Sequence, residues 1–110
     1  MKPEISYDEF SKLDLRVATV VSAREHPNAN QLLLLQIKLG DEDQRQIVAG
    51  IRGHYEPEAL VGTQIVVVAN LEEVVIRGEE SRGMLLAAGD GDDVILLRPD
   101  RRCKAGSRIK

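Results

Sequence analysis

The stretch DLRVATVVSAREHPNANQLLLLQIKLGDEDQRQIVA, residues 14–49, decides how the chain folds. From Asp14 the side chains alternate, with Leu15, Val17, Thr19 and Val21 facing one way and Arg16, Ala18, Val20, Ser22 and Arg24 the other. That period of two is the signature of a strand. HPNANQ, residues 26–31, is a cluster of turn formers, and LLLLQIKL, residues 32–39, resumes the alternation with Leu33, Leu35, Ile37 and Leu39 on one face. GDED, residues 40–43, turns the chain into a third strand, QRQIVA, residues 44–49.

Upstream, ISYDEF starts a short helix that plugs one end of the fold: Ser6 caps it, Glu9 completes a capping box, and Ile5 packs on Phe10 as a staple. Downstream, GIRGHYEPEALVG, residues 50–62, has Pro57 at a first helical position and Gly62 as a C-terminal cap. TQIVVVANL, residues 63–71, is apolar enough to be a strand covered on both faces. After the loop VIRGEESRGM come the strand GMLLAA, the turn GDGDD at residues 89–93, the strand VILLR and a last short strand near SRIK. This order predicts an all-β fold: an OB-type Greek-key barrel of about five strands, with a short N-terminal helix and C-terminal strand additions. With 110 residues, one domain spanning positions 1–110 is expected.

No apolar run approaches the ~20 residues of a membrane helix, and MKPEISYDEF places acids where a secretory signal has an apolar core. No membrane partner and a cytoplasmic location are expected. Cys103 is the only cysteine, so neither an internal disulfide nor a cysteine zinc site can form. His26 and His54 have no ligand-spaced carboxylate partner, and GDGDD lacks the spaced ligands of a calcium loop. No nucleophile and base form a pair. The reading is of a binding module, not an enzyme, that needs no metal or cofactor.

Net charge is −3, but it is unevenly spread: residues 98–110 carry six basic residues and one acid, +5, which leaves −8 on residues 1–97. Only a local basic surface can therefore serve nucleic acid. GIRG, residues 50–53, matches a KH loop in letters but follows a strand, so it is set aside. Tyr7, Phe10 and Tyr55 are the only aromatics, too few for a barrel that stacks successive bases. RNA binding would have to rest on backbone and shape contacts. RGEESRGM, residues 77–84, has the right groups: Gly78 and Gly83 for close approach, Arg77 and Arg82 for phosphate, a Ser81 hydroxyl and an adaptable Met84.

FSKLDLRVATVVSAREHPNA at 10–29, VAG at 48–50 and VVVANLEEVVIRGEESRGMLLAA at 66–88 together resemble the structure-specific tRNA-binding domain family. Its members occur as free homodimers and as the C-terminal domain or β subunit of methionyl-tRNA synthetases. The resemblance implies an OB fold that binds the corner of folded tRNA without catalysis, dimerises through its terminal additions and can accompany methionyl-tRNA synthetase. It places Asn28, Asn30, Gln31, Asn70, Arg77, Ser81 and Met84 on the RNA edge, with Arg82 beside them, and assigns Asp14 and Arg16 to holding the barrel. Asn30 and Gln31 stand where the family usually has aspartate and lysine, and Glu73 where it has proline. Loss of the lysine, with repulsion from Glu73 and Glu79, implies weak, salt-dependent binding, compensated by Arg45, Arg82 and the basic C-terminal segment. The acidic body motivates an alternative, a protein-interaction module. It would be a synthetase docking or dimerisation domain, or a relative of the bacterial secretion chaperone, with Leu32 and Leu34 in a subunit interface.

Overall fold

A computed structural model describes all residues, 1–110. Helix α1, Tyr7–Phe10, is followed by strands β1, Leu15–Glu25, β2, Leu33–Lys38, and β3, Gln44–Ala49. Helix α2, Pro57–Leu60, leads to β4, Gln64–Val68. Five short strands complete the chain: β5, Val74–Ile76; β6, Glu79–Ser81; β7, Met84–Leu85; β8, Ala87–Asp90; and β9, Asp93–Leu96. The main antiparallel sheet runs β3-β2-β1-β4-β7, and β3 meets the β6–β7 segment to give a nearly closed barrel of OB type.

β1 lies between β2 and β4 in the sheet. Residues 15–19 pair with β4 and residues 19–25 with β2, and the β2 pairing is interrupted by a bulge between Val20 and Ser22. The extra residue shifts the alternation. Ala18 and Val20 face the core, Ala23 rather than Ser22 follows them, and Val21 at the bulge is exposed. Leu33, Leu35 and Ile37 of β2, Ile47 of β3, and Ile65 and Val67 of β4 fill the interior with no measurable exposure or nearly none. Each such side chain contributes about 1.5–3 kcal/mol through burial.

Several expectations change in detail. The capping box forms, with the Glu9 amide donating to the Ser6 hydroxyl at 3.1 Å, but Ile5 and Phe10 are exposed and α1 buries nothing. Four residues are too few to present an apolar stripe, so α1 neither carries a staple nor plugs the barrel. GMLLAA is two strands, because the Leu86 amide donates to Val66 while its carbonyl accepts from Leu97. The turn between β8 and β9 is only Gly91-Asp92, with Gly91 at φ 60° as the first position of a II′ turn requires. Near SRIK there is no full strand, only a bridge between Arg16 and Arg108 flanked by the bonds Val17 N–H to Ser107 and Ile109 N–H to Leu15. Leu34 is 2% exposed, since its side of β2 and β3 lies beneath the β5–β6 hairpin. It therefore has no surface to offer a second subunit.

The C-terminal segment docks on β1 through Gly106, whose amide donates to Val17 at 2.7 Å. Gly106 adopts φ +90°, and a Cβ there would collide with the Leu39 carbonyl oxygen. Gly53 adopts φ +89° in open space. Gly53→Ala is expected to cost about 1–2 kcal/mol from backbone conformation alone. Gly106→Ala should cost clearly more, because a backbone atom must move; paired urea-unfolding curves of the two variants check the ordering.

Candidate nucleic-acid interface

VIRGEES is not an open loop but a two-residue hairpin: Ile76 pairs with Glu79, and Arg77 and Gly78 turn the chain at φ 53° and 88°. Positive φ at both central positions is the I′ geometry that matches strand twist. Glycine takes such a conformation freely; arginine does so at a cost of about 1–2 kcal/mol. The hairpin is fixed at its base by Ser81, whose hydroxyl accepts from the Val48 amide at 3.0 Å and donates to the Gly83 carbonyl at 3.1 Å.

The second part of the edge is the turn at 26–31, and His26 joins it to the hairpin. The Asn28 amide donates to Nδ1 at 2.9 Å, which leaves the ring proton on Nε2 to donate to the Ile76 carbonyl at 3.0 Å. His26 is 2% exposed and bonds the residue immediately before Arg77. Arg52 holds the far end of the turn, donating from Nη1 to Ala29 at 3.0 Å and from its amide to Gln31, while its Nε meets Glu25 at 3.0 Å. The result is a hollow of about 360 Å³ lined by Ala29, Asn30, Gln31, Leu32 and Arg77.

The residues singled out from sequence thus fall into two groups. Asn28, Asn30, Gln31, Arg77, Arg82 and Met84 are exposed, and the first five make no side-chain hydrogen bond within the chain. Met84 lines, with Val48 and Ile76, both of two further hollows of about 440 and 480 Å³, the larger lined almost wholly by apolar residues. Ser81 and Asn70 use their polar groups internally. Ser81 is 3% exposed, and the Asn70 side chain accepts from the Asp14 amide at 2.8 Å and donates to the Lys12 carbonyl at 2.6 Å. His26 and Arg52 were not legible as part of this edge: a histidine before proline reads as turn punctuation, and Arg52 lay in the discarded GIRG.

Charges divide in the same way. Arg45, expected to compensate for the missing lysine, has a side chain only 12% exposed, pairs with Asp43 at 2.8 Å and donates to the Ala69 carbonyl. Its charge is spent inside the barrel end, where Arg16 pairs with Asp14 at 2.7 Å. Glu79 faces Arg24 at 3.7 Å and accepts from Gln46, which offsets the repulsion expected of it. Five of the fifteen basic residues are acid-paired; the others are Lys2, Lys12, Arg77, Arg82 and all six within residues 98–110.

Two outcomes are expected from these contacts. His26→Ala strands the Asn28 amide and the Ile76 carbonyl, so stability should fall by about 2–4 kcal/mol and amide exchange at Asn28 should quicken. Asp43 is held below the ordinary carboxylate value, 3.8, first by its hydrogen bond from Arg45, and Asp14 likewise by Arg16. A lowered folded pKa means stability that is complete above that ordinary value and is lost as pH falls through the folded one. The stability difference between the wild type and Asp43→Asn should accordingly narrow as pH drops below 3.8, read from denaturant midpoints across an acid series.

Residues 15–108 match the family model described as "Putative tRNA binding domain". The chain is 52% identical over 106 residues to methionine–tRNA ligase of Thermococcus kodakarensis, covering 96% of this chain and 14% of that protein. It is 53% identical over 105 residues to the Thermotoga maritima ligase, covering 96% and 16%. The chain thus spans about one-seventh of the curated ligases it matches. Among solved structures, a MetRS-related protein from Pyrococcus horikoshii superposes with a TM-score of 0.91 at 31% identity, covering 99% of this chain and 100% of that one. The chaperone CsaA of Bacillus anthracis gives 0.89 at 33% identity, covering 98% and 100%. An OB-type barrel whose exposed polar edge is built from the turn at 26–31 and the hairpin at 74–81, matched by a family model over almost its full length, belongs to the tRNA-binding domain family.

Proposed function

We propose that the chain is a non-catalytic tRNA-binding module that recognises the corner of folded tRNA by shape and phosphate contacts, serving protein biosynthesis in the cytoplasm beside a methionyl-tRNA synthetase. The observation that carries this reading is the His26 bridge, which sets the unpaired guanidinium of Arg77 beside Asn30 and Gln31 in one hollow. An arginine held there can take a phosphate bidentately, and neighbouring amides can take ribose or base edges. In this reading Asn28, Asn30, Gln31, Arg77, Arg82 and Met84 touch RNA, while Ser81 and Asn70 hold the surface they lie in. Family membership supports a binding role, and no helix is long and apolar enough to cross a membrane.

The residues 1–110 act as one unit in this proposal and pair as a homodimer through the terminal additions. The β8–β9 hairpin supports that placement, with Ile95 and Leu97 exposed and β8 uncovered on both faces. A second reading, capture of unfolded protein, is favoured by one observation, the apolar hollow of about 480 Å³ that includes Leu32, Val48 and Met84.

Filter-binding titrations of folded tRNA at low salt test the leading reading. Arg77→Ala should weaken binding about tenfold and lower the salt slope by roughly 0.7–0.9, the value of one lost phosphate contact. Equal affinity for tRNA, duplex and single-stranded RNA would replace shape recognition with generic electrostatics. Sedimentation at micromolar concentration should give a dimer; a monomer removes the pairing. Protection of an aggregating client by a variant that no longer binds tRNA would favour the second reading.

A further inference from the structure

We propose that Arg98, Arg101 and Arg102 form a second phosphate-binding surface, which holds the backbone of the same RNA that Arg77 meets; this rests on the tRNA-binding reading above. The three arginines line one polar hollow of about 210 Å³ with Thr63, Gln64 and Asp100. None of them lies within ion-pair distance of an acid, although Asp100 shares the hollow and the remainder of the chain, residues 1–97, is strongly acidic. In the barrel the opposite holds, where Arg16, Arg24, Arg45 and Arg52 each have a carboxylate partner. Three arginines around one hollow outnumber the single acid, Asp100, and phosphate oxygens are the ligand class that guanidinium groups bind bidentately.

The loop that carries them is held at both ends. Before it, the Leu97 amide donates to Leu86 and the Leu97 carbonyl accepts from Val66. After it, the side chain of Gln64 donates to the Cys103 carbonyl at 2.6 Å and accepts from the Cys103 amide at 3.0 Å. Arg98 rests over the Tyr55 ring, 5.8 Å from its centroid, and Arg102 donates one N–H to the Gly62 carbonyl at 2.9 Å. Of the five N–H donors of a guanidinium, Arg102 keeps four free and Arg101 all five. Arg98 and Arg102 are thus partly ordered before a ligand arrives, which favours binding, while Arg101 is held only through its backbone.

A run of contacts links this surface to the first. Arg77 shares its hollow with Gln31; the Gln31 carbonyl accepts from the Arg52 amide; Arg52 and Tyr55 form a backbone bridge; and Tyr55 carries Arg98. The whole molecule is 40 Å in its longest direction, which bounds the distance between the two surfaces.

The test is the salt dependence of tRNA binding by the full chain. Arg98→Gln/Arg101→Gln/Arg102→Gln should lower the slope of log K against log salt by about 2–3 and weaken low-salt binding roughly 10- to 100-fold. Arg101→Gln alone, which breaks no internal bond, should lower the slope by roughly 0.7–0.9. The equal-charge control Lys2→Gln/Lys12→Gln/Lys38→Gln should leave slope and affinity near wild type. Equal losses in hollow and control variants, or an unchanged slope in the hollow variants while Arg77→Ala still weakens binding, would overturn the proposal. Loss of poly-glutamate binding with tRNA binding intact would overturn it too, by assigning the hollow to an acidic protein partner. If the wild type fails to bind tRNA, the tRNA-binding reading itself fails and this surface falls with it.

Discussion

The barrel closes where β3 and β4 approach across residues 81–83, and that approach depends on a missing side chain. A Cβ at Gly83 would sit 2.9 Å from the Val68 carbonyl oxygen and 3.7 Å from Ile47, and the backbone there adopts φ +116°. Neither the space nor the conformation suits another residue. Beside it, the buried Ser81 hydroxyl takes the Val48 amide that a regular strand neighbour would otherwise satisfy. An unpaired amide at that depth would cost about 1–3 kcal/mol. Everything on the outer edge hangs from this seam: the hairpin rises from it, covers Leu34 and brings Ile76 to His26.

The long strands were legible because burial imposes their period. Leu33, Leu35 and Ile37 lie on the face their spacing indicates, and Pro57 and Gly62 bracket α2 as their conformational preferences require. What escaped was decided by contacts distant in sequence. The bulge near Val21 is a feature of the pairing between β1 and β2, and nothing local to VATVVSA marks it. Ser81 and Asn70 look like ligand-facing groups in a polar loop, yet their partners, Val48, Asp14 and Lys12, lie tens of residues away and consume their hydrogen bonds. His26 reversed that outcome: its position beside a turn suggested nothing, and its fifty-residue reach to Ile76 makes it the joint of the edge.

The electrostatics follow one division of labour. Bidentate arginine–aspartate pairs at Asp14–Arg16 and Asp43–Arg45 sit at one end of the barrel, where their hydrogen bonds tie β1, the β2–β3 turn, Ala69 and Gly106 together. Such pairs fix geometry more than they attract anything from outside, because their fields cancel at short range. The hairpin and the C-terminal segment keep their cations unpaired. A net charge of −3 therefore says little about what the molecule attracts, since the acids that dominate the sum are distributed over the body while the free positive charge is concentrated.

Arg77 occupies the left-handed region, alone among the non-glycine residues. Asparagine or glycine would turn the same corner with less strain, and would make the hairpin more stable while deleting its guanidinium. Selection for thermal endurance alone would be expected to erase the arginine. Its loss from a library enriched only for folding, against its persistence in one enriched for ligand binding as well, would separate what this corner owes to architecture from what it owes to recognition.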